Sequence, residues 1–243
     1  MRSFKAGLFR DTLLLQKSKK RLNCMISDFK EMNKLFEEID RTLKDKVCLF
    51  AIGGVTLLYH GMKRATKDID LIAETKKEFD AFHDALKLIG FQTMIPPRGY
   101  EHMNINQIFI REDFRIDLFC RTVCKRFSLS EGMIKRASTV IELKNIKVSF
   151  CSNEDVFLFK TMTQRDGDLE DCMSLAQRNL NWKIILAELK KQVRASGNDV
   201  WITWVGERLD MLEEKGLNIP VMKEINKLRG DYFKTCEKRL RNK

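Results

Sequence analysis

The 243-residue sequence predicts a mixed α/β (α+β) protein, with a mixed β-sheet flanked by helices and a helical C-terminal domain behind it. Three observations carry this. Short apolar runs alternate with amphipathic stretches as far as Cys151, the pattern turns helical from Ser152 onward, and glycine and proline are scarce at 12 and 3 residues. The predicted units are a helical segment over 1–46 packing on the core, a mixed unit over 47–151 and a helical unit over 152–243. A chain of this length buries a substantial core without covalent staples.

From Lys19 to Lys46 the residues Leu22, Met25, Ile26, Phe29, Met32, Leu35, Phe36, Ile39 and Leu43 recur every three or four positions, the apolar face of one long helix. Val47 to Ile52 is a short apolar run that enters Gly53-Gly54, which reads as a buried strand and a tight turn, with a helix over 54–61 behind it. Lys67 to Ala73 is the next strand. Lys76 to Ile89 is helical by period, and Gly90 stops it. Phe91 to Ile95 reads as a strand, Pro96-Pro97-Arg98-Gly99 as a turn, and Asn106 to Arg111 with Phe114 to Phe119 as a hairpin. Ser130 to Ala137 is a short helix, and Thr139 to Leu143 with Lys147 to Cys151 a second hairpin. Helical segments follow near 153–166, 168–178, 181–194, 198–214 and 219–240, with Ser152 suited to cap the first. Trp201 and Trp204 lie on a stripe with Val200, Val205 and Leu209 and read as packing.

No apolar run approaches the ~18 residues of a membrane span, and the first residues lack a hydrophobic stretch followed by a cleavage site. A cytoplasmic protein with no membrane partner is the expectation. The seven cysteines form an odd, scattered set that suits a reducing compartment, and Cys120 with Cys124 lacks the second pair that zinc needs. The net charge of +11 sits at the ends: residues 1–22 hold 7 basic and 1 acidic side chains, and residues 215–243 hold 9 and 3. Solvated helix faces account for such a surplus, and RNA contact through the basic termini is its alternative use. No H-E-x-x-H, G-x-S-x-G or P-loop pattern occurs, so zinc proteolysis, serine hydrolysis and P-loop ATP hydrolysis have no support.

The chemistry-bearing residues are acidic. Asp68 and Asp70 stand two apart in a predicted strand and share one of its faces, while Asp117 holds an equivalent place in Phe114 to Phe119. Ionised carboxylates about 4 Å apart repel by about 4 kcal/mol per pair at an effective dielectric of 20. A divalent cation offsets that, and magnesium prefers carboxylate oxygens completed by water and substrate phosphate. Gly53-Gly54 ahead of a helix offers an unobstructed backbone for a polyphosphate. Arg64 and Lys67 lie between the two halves and can neutralise phosphate.

Gly53-Gly54, Leu58-Tyr59-His60-Gly61, Arg64-Ala65-Thr66-Lys67-Asp68-Ile69-Asp70-Leu71 and Arg115-Ile116-Asp117-Leu118 resemble the nucleotidyltransferase fold of the DNA polymerase β superfamily. The R-x-T-x-D-I-D variant resembles the toxin-type nucleotidyltransferases of abortive-infection systems and their uncharacterised prokaryotic relatives. Glu154-Asp155, Lys160, Arg165, Asp168 and Asp171 resemble a helical stretch of the same relatives, and the likeness spans roughly residues 47–178. It implies transfer of a nucleoside monophosphate from an NTP, ATP among them, to an acceptor hydroxyl with loss of pyrophosphate. Asp68, Asp70 and Asp117 would hold two Mg²⁺ (or Mn²⁺) ions, and Asp117 would orient or deprotonate the acceptor. Gly53, Gly54 and Lys160 are assigned to phosphate, with Arg64, Thr66 and Lys67 as lesser candidates. A pair between Arg165 and Asp168 accounts equally well for those two residues. His60 reads as packing rather than as a general base, and Tyr100-Glu101-His102 as an exposed loop. The acceptor stays open among a tRNA 3′ end, a protein hydroxyl and a small molecule. A catalytically silent nucleotide-binding protein and a nucleic-acid-binding protein are the other classes.

Overall fold

The computed structural model describes residues 25–96, 103–124, 127–163 and 165–241. In chain order these form α1 (Phe29–Thr42), β1 (Val47–Ile52), α2 (Gly54–Tyr59), β2 (Ile69–Ala73), α3 (Lys76–Leu88), β3 (Gln92–Met94), β4 (Gln107–Arg111) and β5 (Phe114–Cys120). There follow β6 (Thr122–Val123), β7 (Phe127–Ser128), α4 (Glu131–Arg136), β8 (Ser138–Glu142) and β9 (Ile146–Phe150). The helical region comprises α5 (Asn153–Thr161), α6 (Asp166–Ala176), α7 (Trp182–Ser196), α8 (Trp201–Glu214) and α9 (Met222–Arg241).

Seven strands make one mixed sheet in the order β3-β4-β5-β2-β1-β9-β8. The central strands β5 and β2 run parallel, β2 and β1 antiparallel, and β1 and β9 parallel. Period-two alternation gives this sheet two apolar faces. Leu49, Ala51, Leu71 and Leu118 face α1 and α3, which contribute Leu35, Phe36, Ile39, Phe82 and Leu86. Phe50, Ile52, Ile72 and Phe119 point the other way, into a core shared with Phe157, Leu189, Trp201 and Leu209 of the helical region. Trp201 is buried there and touches the Phe127 ring, which bears out its reading as packing.

Several boundaries differ from the sequence expectation, each for a local reason. The first helix was expected from Lys19, but α1 begins after Asp28, whose carboxylate accepts from the Lys30 N–H at 2.7 Å as an N-cap. Ile26, which fits the helical period, instead forms an antiparallel bridge with Thr66 and is buried by it. Positions 19–24 lie outside the described residues, as do Pro97 to Gly99 of the expected turn and Tyr100, Glu101 and His102. The second strand starts at Ile69 rather than Lys67, because Thr66 is tied to Ile26 and its hydroxyl donates to the Asp68 carbonyl. Asp68 therefore sits just ahead of β2. The expected helix over 153–166 ends at Thr161, and the chain restarts at Asp166 as α6. The two-residue ladder of β6 and β7 has no counterpart in the sequence reading. Ser152 caps α5 as expected, accepting from the Asp155 N–H. No helix among the described residues is long and apolar enough to cross a membrane.

Candidate active site

The glycine pair and the aspartate pair are locked together sterically. Gly53 joins β1 to α2 at φ 70° and ψ −147°, a conformation essentially restricted to glycine. A Cβ placed there would stand 2.0 Å from Asp70 Oδ2. One on Gly54 would stand 2.3 Å from Thr66 Oγ1. The absence of side chains at 53 and 54 thus admits the carboxylate of Asp70 and the hydroxyl of Thr66 against the β1–α2 turn. Thr66 is buried in this packing role.

Strand register assembles the acids. Asp70 of β2 lies directly beside Asp117 of β5, on the sheet face that meets the helical region. Neighbouring strands are about 4.8 Å apart, so the two side chains rise next to each other. Asp117 is only 1% exposed and Asp70 is buried, while Asp68 is half-buried at the entry to β2. Burial pushes the Asp70 carboxyl well above its usual range, and the charges of Asp68 and Asp117 push it further. Arg165 and Lys160 pull it back in part. Burial also raises Asp117, against a fork from Arg115 whose Nε and Nη2 donate to its two oxygens at 2.7 Å each. Asp68 adds to that rise. Arg115 reaches Asp117 because residues two apart on a strand share a face. That spacing is already present in the sequence as R-I-D.

A second layer of charge comes from the helical region. Lys160, on α5, has its ammonium between Asp168 at 2.8 Å and Asp171 at 2.6 Å. Burial alone would lower the Lys160 pKa, but these two carboxylates raise it. Expected to reach phosphate, this ammonium is instead engaged in the interior by two anions. Asp171 also accepts from Lys63 Nζ at 3.0 Å, which ties α6 to the segment after α2. Asp168 receives Arg165 Nε at 2.7 Å and Nη2 at 3.1 Å, together with the Thr163 hydroxyl. Burial opposes its ionisation, yet Lys160 and Arg165 hold its carboxyl down at about 2. The Arg165–Asp168 pair matches the sequence reading. Arg165 also lies within the electrostatic reach of the acids of the sheet: its charge lowers Asp70 and Asp117, and the charges of Asp68 and Asp70 act on it.

The remaining candidates divide. Arg64 and Lys67 are exposed and form no ion pair with any described residue. His60 ends α2, its carbonyl accepts from Arg178, and burial with that guanidinium lowers its pKa. This accords with a packing role. The basic C-terminal stretch forms α9, which is mostly exposed beyond Gly230, whereas the basic N-terminal stretch lies outside the described residues. Among the described residues, no three His, Cys, Asp or Glu side chains are grouped so as to hold a metal ion as they stand. Both oxygens of Asp117 are engaged by the Arg115 fork. The chemistry of the donors nonetheless suits a hard divalent cation: three carboxylates act on one another, two of them buried and both raised toward neutrality.

The site thus combines a mixed sheet, a G-G turn packed on D-x-D and a third aspartate on the adjacent strand. Residues 27–202 match the family described as nucleotidyltransferase of unknown function (DUF6036), and the chain belongs to it. No curated protein matches the chain. Among solved structures, the chain is similar to ANT(2")-Ia in its crystal structure with adenylyl-2"-tobramycin, at 13% identity and a TM-score of 0.45, covering 68% of this chain and 99% of that one. The solution structure of the antibiotic-resistance factor ANT(2'')-Ia gives 13% identity and 0.45, covering 69% and 95%. A candidate nucleotidyltransferase from H. pylori is 16% identical with a TM-score of 0.33, covering 87% and 98%.

Proposed function

We propose that the protein transfers a nucleoside monophosphate from an NTP to an acceptor hydroxyl, releasing pyrophosphate, with Asp68, Asp70 and Asp117 as its metal ligands. The observation that carries this is the side-by-side register of Asp70 and Asp117 on one sheet face, with the charge of Asp68 acting on both. Three mutually repelling carboxylates are costly to a fold, and a divalent cation offsets that cost. Mg²⁺, or Mn²⁺ in its place, would supply charge neutralisation at the attacking and leaving oxygens.

The chain's own groups do the rest. Asp117 orients the acceptor hydroxyl and accepts its proton, which requires the Arg115 fork to release at least one carboxylate oxygen. Gly53 and Gly54 contribute only backbone to the β1–α2 turn, against which Asp70 and Thr66 pack, and that backbone is their means of meeting a phosphate chain. Arg64 and Lys67, which form no ion pair with any described residue, add exposed positive charge on the approach to β2. Lys160 anchors Asp168 and Asp171 and so fixes the helical wall of the site.

The test is incubation of the protein with Mg²⁺, each labelled NTP and a cell extract, alongside Asp68→Asn. The parent is expected to label an acceptor and release pyrophosphate, and the variant to lose at least 1,000-fold in rate, or about 4 kcal/mol. Equal labelling by the variant overturns the assignment of Asp68. A parent that binds NTP but never releases pyrophosphate makes the protein a silent nucleotide binder.

A further inference from the structure

We infer that Arg165 is the cation that grips the phosphates of the nucleotide, presented to them by Asp168, while Lys160 stays in the interior as the anchor of that carboxylate. This rests on the nucleotidyl-transfer reading above and names a residue that reading leaves without a role.

The two cations near the acids are built differently. The Lys160 side chain is 7% exposed, and its single nitrogen lies between two carboxylates. Reaching outward would break two buried ion pairs and leave Asp168 to Arg165 and Thr163, and Asp171 to the half-exposed Lys63, a cost for buried charges. The Arg165 side chain is 50% exposed. Only one edge of its guanidinium is committed, through Nε and Nη2 to Asp168, and Nη1 makes no hydrogen bond to any described residue. That leaves the open edge of a planar fork, the geometry that matches phosphate oxygens.

The arginine is also held from behind. Its carbonyl accepts from Nη2 of the buried Arg208 at 2.6 Å. Its carboxylate partner is fixed in turn by Lys160 and the Thr163 hydroxyl. A side chain immobilised before the ligand arrives loses little further freedom on binding. Its charge also acts on Asp70 and Asp117, and that of Asp68 on it, so it lies near the three acids. A phosphate chain brought to those acids by a metal would lie within its field.

A plainer role is that Arg165 only offsets the three carboxylates, and the two roles separate experimentally. Binding of magnesium tripolyphosphate and of ATP is measured by calorimetry on the full-length protein, and Mn²⁺ binding by electron paramagnetic resonance. For Arg165→Ala we expect roughly a 10- to 100-fold loss of tripolyphosphate and ATP affinity, with Mn²⁺ bound no more weakly than by the parent. Arg165→Lys keeps the charge without the fork and should recover only part of the loss. Melting curves show whether each variant is folded, and Arg165→Lys with Arg165→Gln decides the matter if Arg165→Ala is not. A folded variant that binds tripolyphosphate like the parent and Mn²⁺ more tightly overturns the inference and leaves nucleotidyl transfer standing. A parent that binds neither tripolyphosphate nor any of the four NTPs removes both.

Discussion

Two buried charge clusters lie on the same side of the sheet, and they are satisfied to different degrees. In one, Arg136 of α4 donates to Asp155 of α5 at 2.6 and 3.1 Å and to Glu188 of α7 at 2.7 Å. Ser152 donates to the same Asp155, and Gln192 bonds Glu188 and both backbone groups of Ser128. Burial raises the Asp155 carboxyl, but the arginine and the serine work against it. In the other, burial and two neighbouring carboxylates all act on Asp70 in the same direction. The first cluster is complete and joins three elements. The second carries an excess of negative charge that the fold leaves partly uncompensated, the kind of perturbation that clusters at functional sites.

That contrast can be broken from either side. The largest effect is expected from Arg136→Met, which leaves Asp155 and Glu188 buried without their cation and should cost about 3–5 kcal/mol in urea unfolding. A loss under about 1 kcal/mol would mean that the cluster relaxes into solvent. Next comes acid. Asp168 has a folded pKa of about 2 against an ordinary 3.8, so its ionised form stabilises the fold. That stabilisation, about 2 kcal/mol, is complete above about pH 4.5 and is lost as the pH falls toward 2. Denaturation midpoints across this range should fall more steeply for the parent than for Asp168→Asn. The smallest change in stability belongs to Asp70→Asn, which removes a carboxylate that its surroundings disfavour. Its unfolding free energy should stay level or rise by up to about 1 kcal/mol while transfer activity disappears. A clear loss of stability would place Asp70 with the structural cluster.

Much of this site was legible before any coordinates. Gly53-Gly54 and Asp68-x-Asp70 stand at a spacing that only a strand–turn–helix–strand path brings together, and the alternation around Asp117 puts it on the matching face. Thr66 was legible as part of the motif but not as packing, because its contact with Gly54 crosses the fold. Lys160 and Arg165 were the hardest to read. The expected helix over 153–166 breaks between Thr161 and Asp166, and in the folded chain the Arg165 side chain is half exposed while that of Lys160 is buried. Ile26 was misplaced for a similar reason: its apolar character fits both a helix face and a buried bridge, and the Asp28 cap decides between them.

By itself, then, the chain determined its layers, its class and its acids, because periodicity and short motifs depend on contacts a few residues long. Tertiary structure alone decided that Lys160 is held in the interior while Arg165 stays half exposed. Those outcomes depend on burial and on partners as much as 43 residues away, as with Arg208 and the carbonyl of Arg165. No local pattern encodes the cost of moving a charge out of water.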